Sequence, residues 1–227
     1  MQVEEVLKKL KKLSNKRVIE GMSRFGIRSN NAIILGVSTP ELRKIGKEIG
    51  TDHKLALKLW KTKIHEARIL ASIIDDYKLV DEKQMDAWVK DFDSWDLCDQ
   101  CCMNLLKKVS FVDKKIFEYS SKKQEFIRRT GFALIATLAM SKIDITNKTF
   151  ENYFSLIKRE ANDERNFVKK AVNWALRQIG KRNFYLNKKA ILVAKDIQKI
   201  DSKSAKWIAG DAIRELISES ILKRLRK

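Results

Sequence analysis

Proline and glycine are scarce in this chain, with one proline and eight glycines in 227 residues. In an average protein the two types make up about 12%. An all-β sandwich or barrel turns its chain about every ten residues, mostly on those residues, so that architecture is excluded. Long apolar runs are missing too. The longest, Gly131 to Met140, spans ten residues, where a membrane-spanning helix needs about 20. The N-terminus is a lysine-rich amphipathic stretch without an apolar signal core or small-residue cleavage site, so a soluble, cytoplasmic protein is expected. Cysteines number only three, Cys98, Cys101 and Cys102. An odd, clustered set fits a reducing compartment. Neither of the two histidines is near them in sequence, so a zinc site lacks its remaining ligands and buried structural cysteines are expected. No glycine-rich phosphate loop, paired-histidine motif or nucleophile elbow occurs. Nucleotide or metal-dependent hydrolysis is therefore disfavoured, and no cofactor is expected.

What the chain has in abundance is positive charge. Lysine and arginine total 48 against 29 aspartates and glutamates, a net charge of +19. The 44% hydrophobic content is near the globular norm, so this is no disordered basic tail. Such a surplus costs stability by self-repulsion unless a polyanion neutralises it. Nucleic acid is the first candidate and an anionic membrane the second.

Nearly every segment carries a helical period. Val3, Val6, Leu7, Leu10 and Leu13 make one apolar stripe. Residues 21–38, with Gly21, Gly26, Asn30, Asn31 and Gly36, are the least regular part. Thr39-Pro40-Glu41 then opens a helix, with threonine as cap and proline at the first helical position. Nothing later reads as a linker, so 1–227 is expected to be one continuous all-α domain. A weak repeat runs through it. Arg68, Asp99, Arg129, Lys170 and Lys206 fall at one place in successive amphipathic helices. Their spacing fits HEAT- or armadillo-like helical hairpins stacked in a right-handed superhelical solenoid. Equivalent positions would then share a mostly basic face that carries a single acid.

Three segments could carry chemistry. Asp93 and Asp96 match a capping acid and a second acid at a helix start. Asp99 instead lies at the edge of the apolar arc of Trp95, Cys98, Cys102, Leu105 and Leu106, with Trp95 one turn before it. A partly desolvated carboxylate there is either a salt-bridge partner of Arg68 or Arg129 or a catalytic acid. The helix beginning near Glu125 is apolar almost all round, so it is central and buried. Arg128 and Arg129 in its first turn must reach a carboxylate or a phosphate. On the helix from Asn166 to Lys181, the stripe Lys170, Arg177 and Lys181 borders Trp174, and Trp207 beside Lys206 repeats the pattern. A border tryptophan packs, or stacks beside phosphate contacts as on nucleic-acid surfaces. His65, at a helix start, suits capping or packing.

These segments resemble the DNA alkylation-repair family related to the AlkD glycosylases. The likeness covers most of the chain. It rests on Gly36-Val37-Ser38-Thr39-Pro40-Glu41-Leu42-Arg43, His65-Glu66-Ala67-Arg68, Phe92-Asp93-Ser94-Trp95-Asp96-Leu97-Cys98-Asp99-Gln100, Phe126 to Ala133, and Arg165 to Arg177. The resemblance implies a HEAT-like solenoid that cups duplex DNA and releases purines alkylated at N3 or N7. It also implies a site of one acid, one arginine and tryptophans, which by motif are Asp99, Arg129, Trp95 and Trp174. Arg68, Arg128, Lys170, Arg177, Lys181, Lys206 and Trp207 are the expected DNA contacts. The expected partner is duplex DNA with alkylated bases, bound by a monomer with no metal, nucleotide cofactor or membrane. Two other readings stand beside it, a non-catalytic solenoid for bent or branched DNA or RNA, and an adaptor for an acidic protein.

Overall fold

The computed structural model describes residues 1–27 and 32–226. Asn30 and Asn31, part of the irregular stretch noted above, lie outside the described residues. By compactness the chain divides into two units, Met1–Phe111 and Val112–Lys227.

The first unit holds α1 (Val3–Lys12), α2 (Lys16–Arg24), α3 (Thr39–Ile49), α4 (His53–Lys61), α5 (His65–Ile74), α6 (Glu82–Lys90) and α7 (Trp95–Asn104). Short polar caps start several of them, as their orphan N–H groups require. Asn15 accepts from Arg17 N and Val18 N, Asp52 from Leu55 N, and Asp81 from Gln84 N. The cap of α3 is Ser38 rather than Thr39, one residue earlier than the sequence suggests. Its hydroxyl accepts from Glu41 N, so Thr39 is already helical and Pro40 still lies in the first turn, where its missing N–H costs nothing. Helices α4 and α5 form a hairpin, and α5 packs between α3 and α7. Every position of α5 except Ile73 is buried. On the other side of α4, Trp60 stacks on Trp88 of α6 with ring centres 3.9 Å apart.

The second unit holds α8 (Val112–Ser120), α9 (Glu125–Met140), α10 (Asn147–Arg159), α11 (Asn166–Gly180), α12 (Phe184–Gln198), α13 (Lys203–Leu216) and α14 (Glu219–Leu225). Helices α8–α9, α10–α11 and α12–α13 pair as hairpins, and α11 packs between α9 and α13. From Arg129 to Ala139 every residue of α9 is buried, as its all-round apolar sequence requires. A Cβ at Gly131 would lie 2.7 Å from Ser120 N, so that glycine sets the close approach of α8 to α9.

Both units are therefore stacks of HEAT-like helical hairpins, with no strand among the described residues. The repeat register holds to within one residue. Arg68 and Lys206 are the fourth residues of α5 and α13, while Asp99, Arg129 and Lys170 are the fifth of α7, α9 and α11. No helix among the described residues is long and apolar enough to cross a membrane.

Candidate nucleic-acid interface and its acid–tryptophan pair

In the first unit the candidate acid sits on α7. This helix starts one residue later than the Asp93 cap implies. Ser94 is its N-cap, and Asp96, in the first turn, turns back to α5 and meets His65 Nε2 at 2.8 Å. Burial alone would lower the His65 pKa and raise that of Asp96, but their mutual hydrogen bond and charge outweigh it. His65 is raised, helped by Glu66 and Asp93, and Asp96 is lowered. The two form a buried ion pair that ties the first turn of α7 to α5. His65 thus packs, as one of its two expected roles had it, with Asp96 favouring its protonated form.

Trp95 is half-buried, and its indole N–H donates to Phe25 O at 3.0 Å. Asp99 follows one turn later, only 8% exposed. Beside it Cys98, Cys101 and Cys102 are fully buried. Burial, with the neighbouring Cys98 and Asp99, pushes the Cys102 thiol well up. Those cysteines are core residues, in keeping with the expectation from sequence. No group of histidine, cysteine or acidic side chains suited to a metal occurs among the described residues.

The charged residues of the His65-Glu66-Ala67-Arg68 segment all serve the fold. Glu66 accepts from Leu35 N at 2.9 Å and Gly36 N at 2.6 Å. It thereby holds the turn at Gly36, whose φ of +74° and contact with Asn15 O leave no room for a Cβ. Arg68 is 5% exposed, lies over the Trp60 ring, and donates to Trp60 O and Asp91 at 3.3 Å each. Arg68 was expected to meet DNA. Its guanidinium is instead spent inside the unit, because the α4–α5 hairpin turns it onto Trp60.

In the second unit Arg129 is buried and donates to Phe167 O at 2.6 Å, so it anchors the first turn of α11. Arg128 meets carboxylates: Glu160 at 2.7 Å and Asp163 at 2.9 Å. Of the two acceptors the sequence allowed, it has the first, and it is not presented for a phosphate. Trp174 is half-buried on α11. With the Gln178 amide turned so that its oxygen accepts, that oxygen takes Trp174 Nε1 at 3.2 Å and Lys181 Nζ at 3.1 Å. The rest of the expected stripe is also engaged. Arg177 and Lys181 each reach Glu215 of α13 at 2.7 Å. Burial would raise the Glu215 pKa, but these two cations hold it below the usual range.

One turn and more toward the start of α11 and α13 the picture changes. Lys170 is exposed and makes no ion pair among the described residues. Among the described residues Lys206 pairs with Asp201 alone, itself fully exposed, at 2.8 Å. Trp207 is 42% exposed, with Lys169 Nζ 5.5 Å from its ring centre. Lys169 and Lys203 were missed in the sequence. Lys203, one turn before Trp207, carried a legible signal, whereas Lys169 comes near only through the packing of α11 on α13.

The charge is also uneven between units. The first has 21 lysines and arginines against 16 acids, a net +5, and the second 27 against 13, a net +14. From Asp75 to Asp99 there are nine acids and three lysines. The structure thus brings together Trp95 with Asp99 in one unit, and Lys206 and Trp207 with Lys169 and Lys203 in the other, with Lys170 exposed beside Lys169 on α11.

Comparison with known proteins gives three findings. A family model described as DNA alkylation repair enzyme matches residues 6–216. Among solved structures, a member of "a new family of proteins related to the HEAT-like repeat DNA glycosylases with affinity for branched DNA structures" has a TM-score of 0.78 at 19% identity, over 96% of each chain. At that identity the likeness is one of fold. Two designed armadillo repeat proteins, one in complex with a (KR)4 peptide, match at 15% and 12% identity over 77% and 82% of this chain and 91% and 88% of theirs. Their TM-scores, 0.37 and 0.38, carry no argument. A comparison with curated proteins gives no match.

Proposed function

The chain belongs to the DNA alkylation repair enzyme family, and on that premise we propose that it is a DNA N-glycosylase releasing cationic N3- or N7-alkylated purines from duplex DNA. The observation that carries the reading is the pair on α7: a carboxylate 8% exposed, one turn from a half-buried tryptophan whose ring is pinned by its own N–H. Alkylation leaves the purine positively charged. When the bond from C1′ to the base nitrogen breaks, its electron pair neutralises the departing base and the positive charge passes to the sugar. Asp99 stabilises that oxocarbenium ion and orients the water whose oxygen bonds to C1′. The water's proton leaves through the carboxylate to solvent. The Trp95 face lies against the sugar, where its π electrons favour the developing cation. Trp174, half-buried on the second unit, serves the DNA backbone by packing, whereas Arg129, expected to fix a phosphate, is buried and bonded to Phe167 O and so serves the fold. Such chemistry asks only modest help from the protein, since the base is already a good leaving group.

The test is release of methylated purine from alkylated duplex by wild type and Asp99→Asn. Wild type should release base. Asp99→Asn should lower the rate roughly 100- to 1,000-fold or more and leave duplex binding intact or tighter. A wild-type protein that releases nothing ends the glycosylase reading.

A second reading is supported by the cation inventory. Arg68, Arg128, Arg177 and Lys181 are all spent on partners of their own unit, which leaves fewer cations to follow a long duplex than the net charge suggests. The solved relative of similar fold is described as having affinity for branched DNA. A non-catalytic binder would show salt-dependent binding, no base release, and no response to Asp99→Asn.

A further inference from the structure

The surface of the second unit where α11 packs on α13 has two halves. Toward the helix C-termini, Arg177 and Lys181 are neutralised by Glu215, with Asp211 3.4 Å from Arg177 and 2.7 Å from Asn173 Nδ2. Toward the N-termini, Lys169, Lys170 and Lys203 make no ion pair among the described residues. Glu164, whose charge reaches Lys169 and Lys203, is occupied in ending the turn before α13. It accepts from Ser202 Oγ at 2.8 Å and from Ser204 N at 3.0 Å. Trp207, 42% exposed, has Lys169 Nζ 5.5 Å from its ring centre and Lys203 one turn before it on α13, and Lys170 follows Lys169 on α11.

We propose that Trp207, with Lys169, Lys170 and Lys203, is a binding platform for an unpaired strand of nucleic acid. The cations call for phosphate, and the exposed indole decides which form of nucleic acid. In a duplex both faces of each base are already stacked, so a shallow surface tryptophan meets only sugar, phosphate and groove edges. Unpaired bases offer their π faces, and a tryptophan among lysines combines stacking with backbone attraction. Lysine over the indole adds a cation that holds the ring in place and lies within reach of the flanking phosphate. A protein ligand would have to be acidic and would gain little from an indole ringed by ammonium groups. The platform therefore selects a duplex carrying a single-stranded arm over a blunt one. It rests on the DNA-binding part of the function proposed above and is independent of base release.

The experiment is fluorescence anisotropy of the full chain with a blunt duplex and with the same duplex bearing a single-stranded arm, at matched salt. Wild type should bind the armed duplex more tightly. Trp207→Ala should weaken that complex about tenfold and leave the blunt duplex unchanged, while Trp207→Phe keeps most of the affinity. Thermal melting of each variant checks the fold, which a half-exposed side chain should not disturb. Equal loss on both duplexes, or no loss on either, overturns the platform. So does a wild type that binds no nucleic acid. A wild type that binds the arm but releases no methylpurine removes the glycosylase chemistry and leaves the platform standing.

Discussion

The surroundings of α7 and the α11–α13 surface use the same repeat position, yet their charges end differently. Around α7 the ions are matched, most of them out of solvent: His65 with Asp96, buried Arg68 with the exposed Asp91, Glu66 with two backbone N–H groups. On α11–α13 the C-terminal half is matched, and in the N-terminal half Lys169, Lys170 and Lys203 keep no ion pair among the described residues, with Lys169 over the exposed Trp207. The first arrangement holds a helix in register; the second is available to a ligand. Net charge thus says less about a binding surface than the cations left once the fold has neutralised the others.

The comparison breaks most sharply at His65. His65→Ala leaves Asp96 as a buried carboxylate without its cation and should destabilise the first unit by about 3–5 kcal/mol, read as a fall in urea midpoint. His65→Leu with Asp96→Leu should recover most of the loss, because two apolar groups need no partner. Recovery failing while both variants stay folded would mean the pair does more than match charges.

Next comes pH. The folded His65 pKa is raised above 6.5, so its contribution is full below that value and is lost as pH rises through the raised pKa. Asp96, Asp163 and Glu215 are lowered. Their contributions are full above their ordinary values of 3.8 and 4.5 and are lost as pH falls through the lowered ones. Asp75 works the other way on the acid side: burial raises it, so protonation there recovers stability. The weakening that follows loss of the His65 proton should therefore be confined to the first unit, as amide exchange would show, and acid should weaken both.

A smaller effect sharpens the other side. Glu215→Gln removes the carboxylate that occupies Arg177 and Lys181, and DNA affinity should rise about fivefold at low salt. Unchanged affinity would place those cations out of reach of DNA. Smallest is Lys170→Ala, which should reduce the slope of log affinity against log salt by about 0.9. Arg68→Ala should leave that slope unchanged while lowering the melting temperature.

Much of this was legible in the chain itself. The 3.6-residue period marks the helices, and the column from Arg68 to Lys206 marks the repeat, because stacking hairpins demands that each bury the same face. Trp95 and Asp99 share a face by spacing alone. The fate of each cation was not legible. Arg68 reaches Asp91 across 23 residues, Arg128 reaches Asp163 across 35, and Arg177 reaches Glu215 across 38. Such pairs depend on how one hairpin is seated on the next, which periodicity does not encode.

By itself, then, the scarcity of proline and glycine and the helical period determined an all-α stack of hairpins, and the excess of lysine determined a polyanionic partner. Only the tertiary structure decided which positive charges remain for that partner. The reason is range: a helical period is set by neighbours three and four residues apart, whereas an ion pair is set by whichever carboxylate the packing brings within about 4 Å.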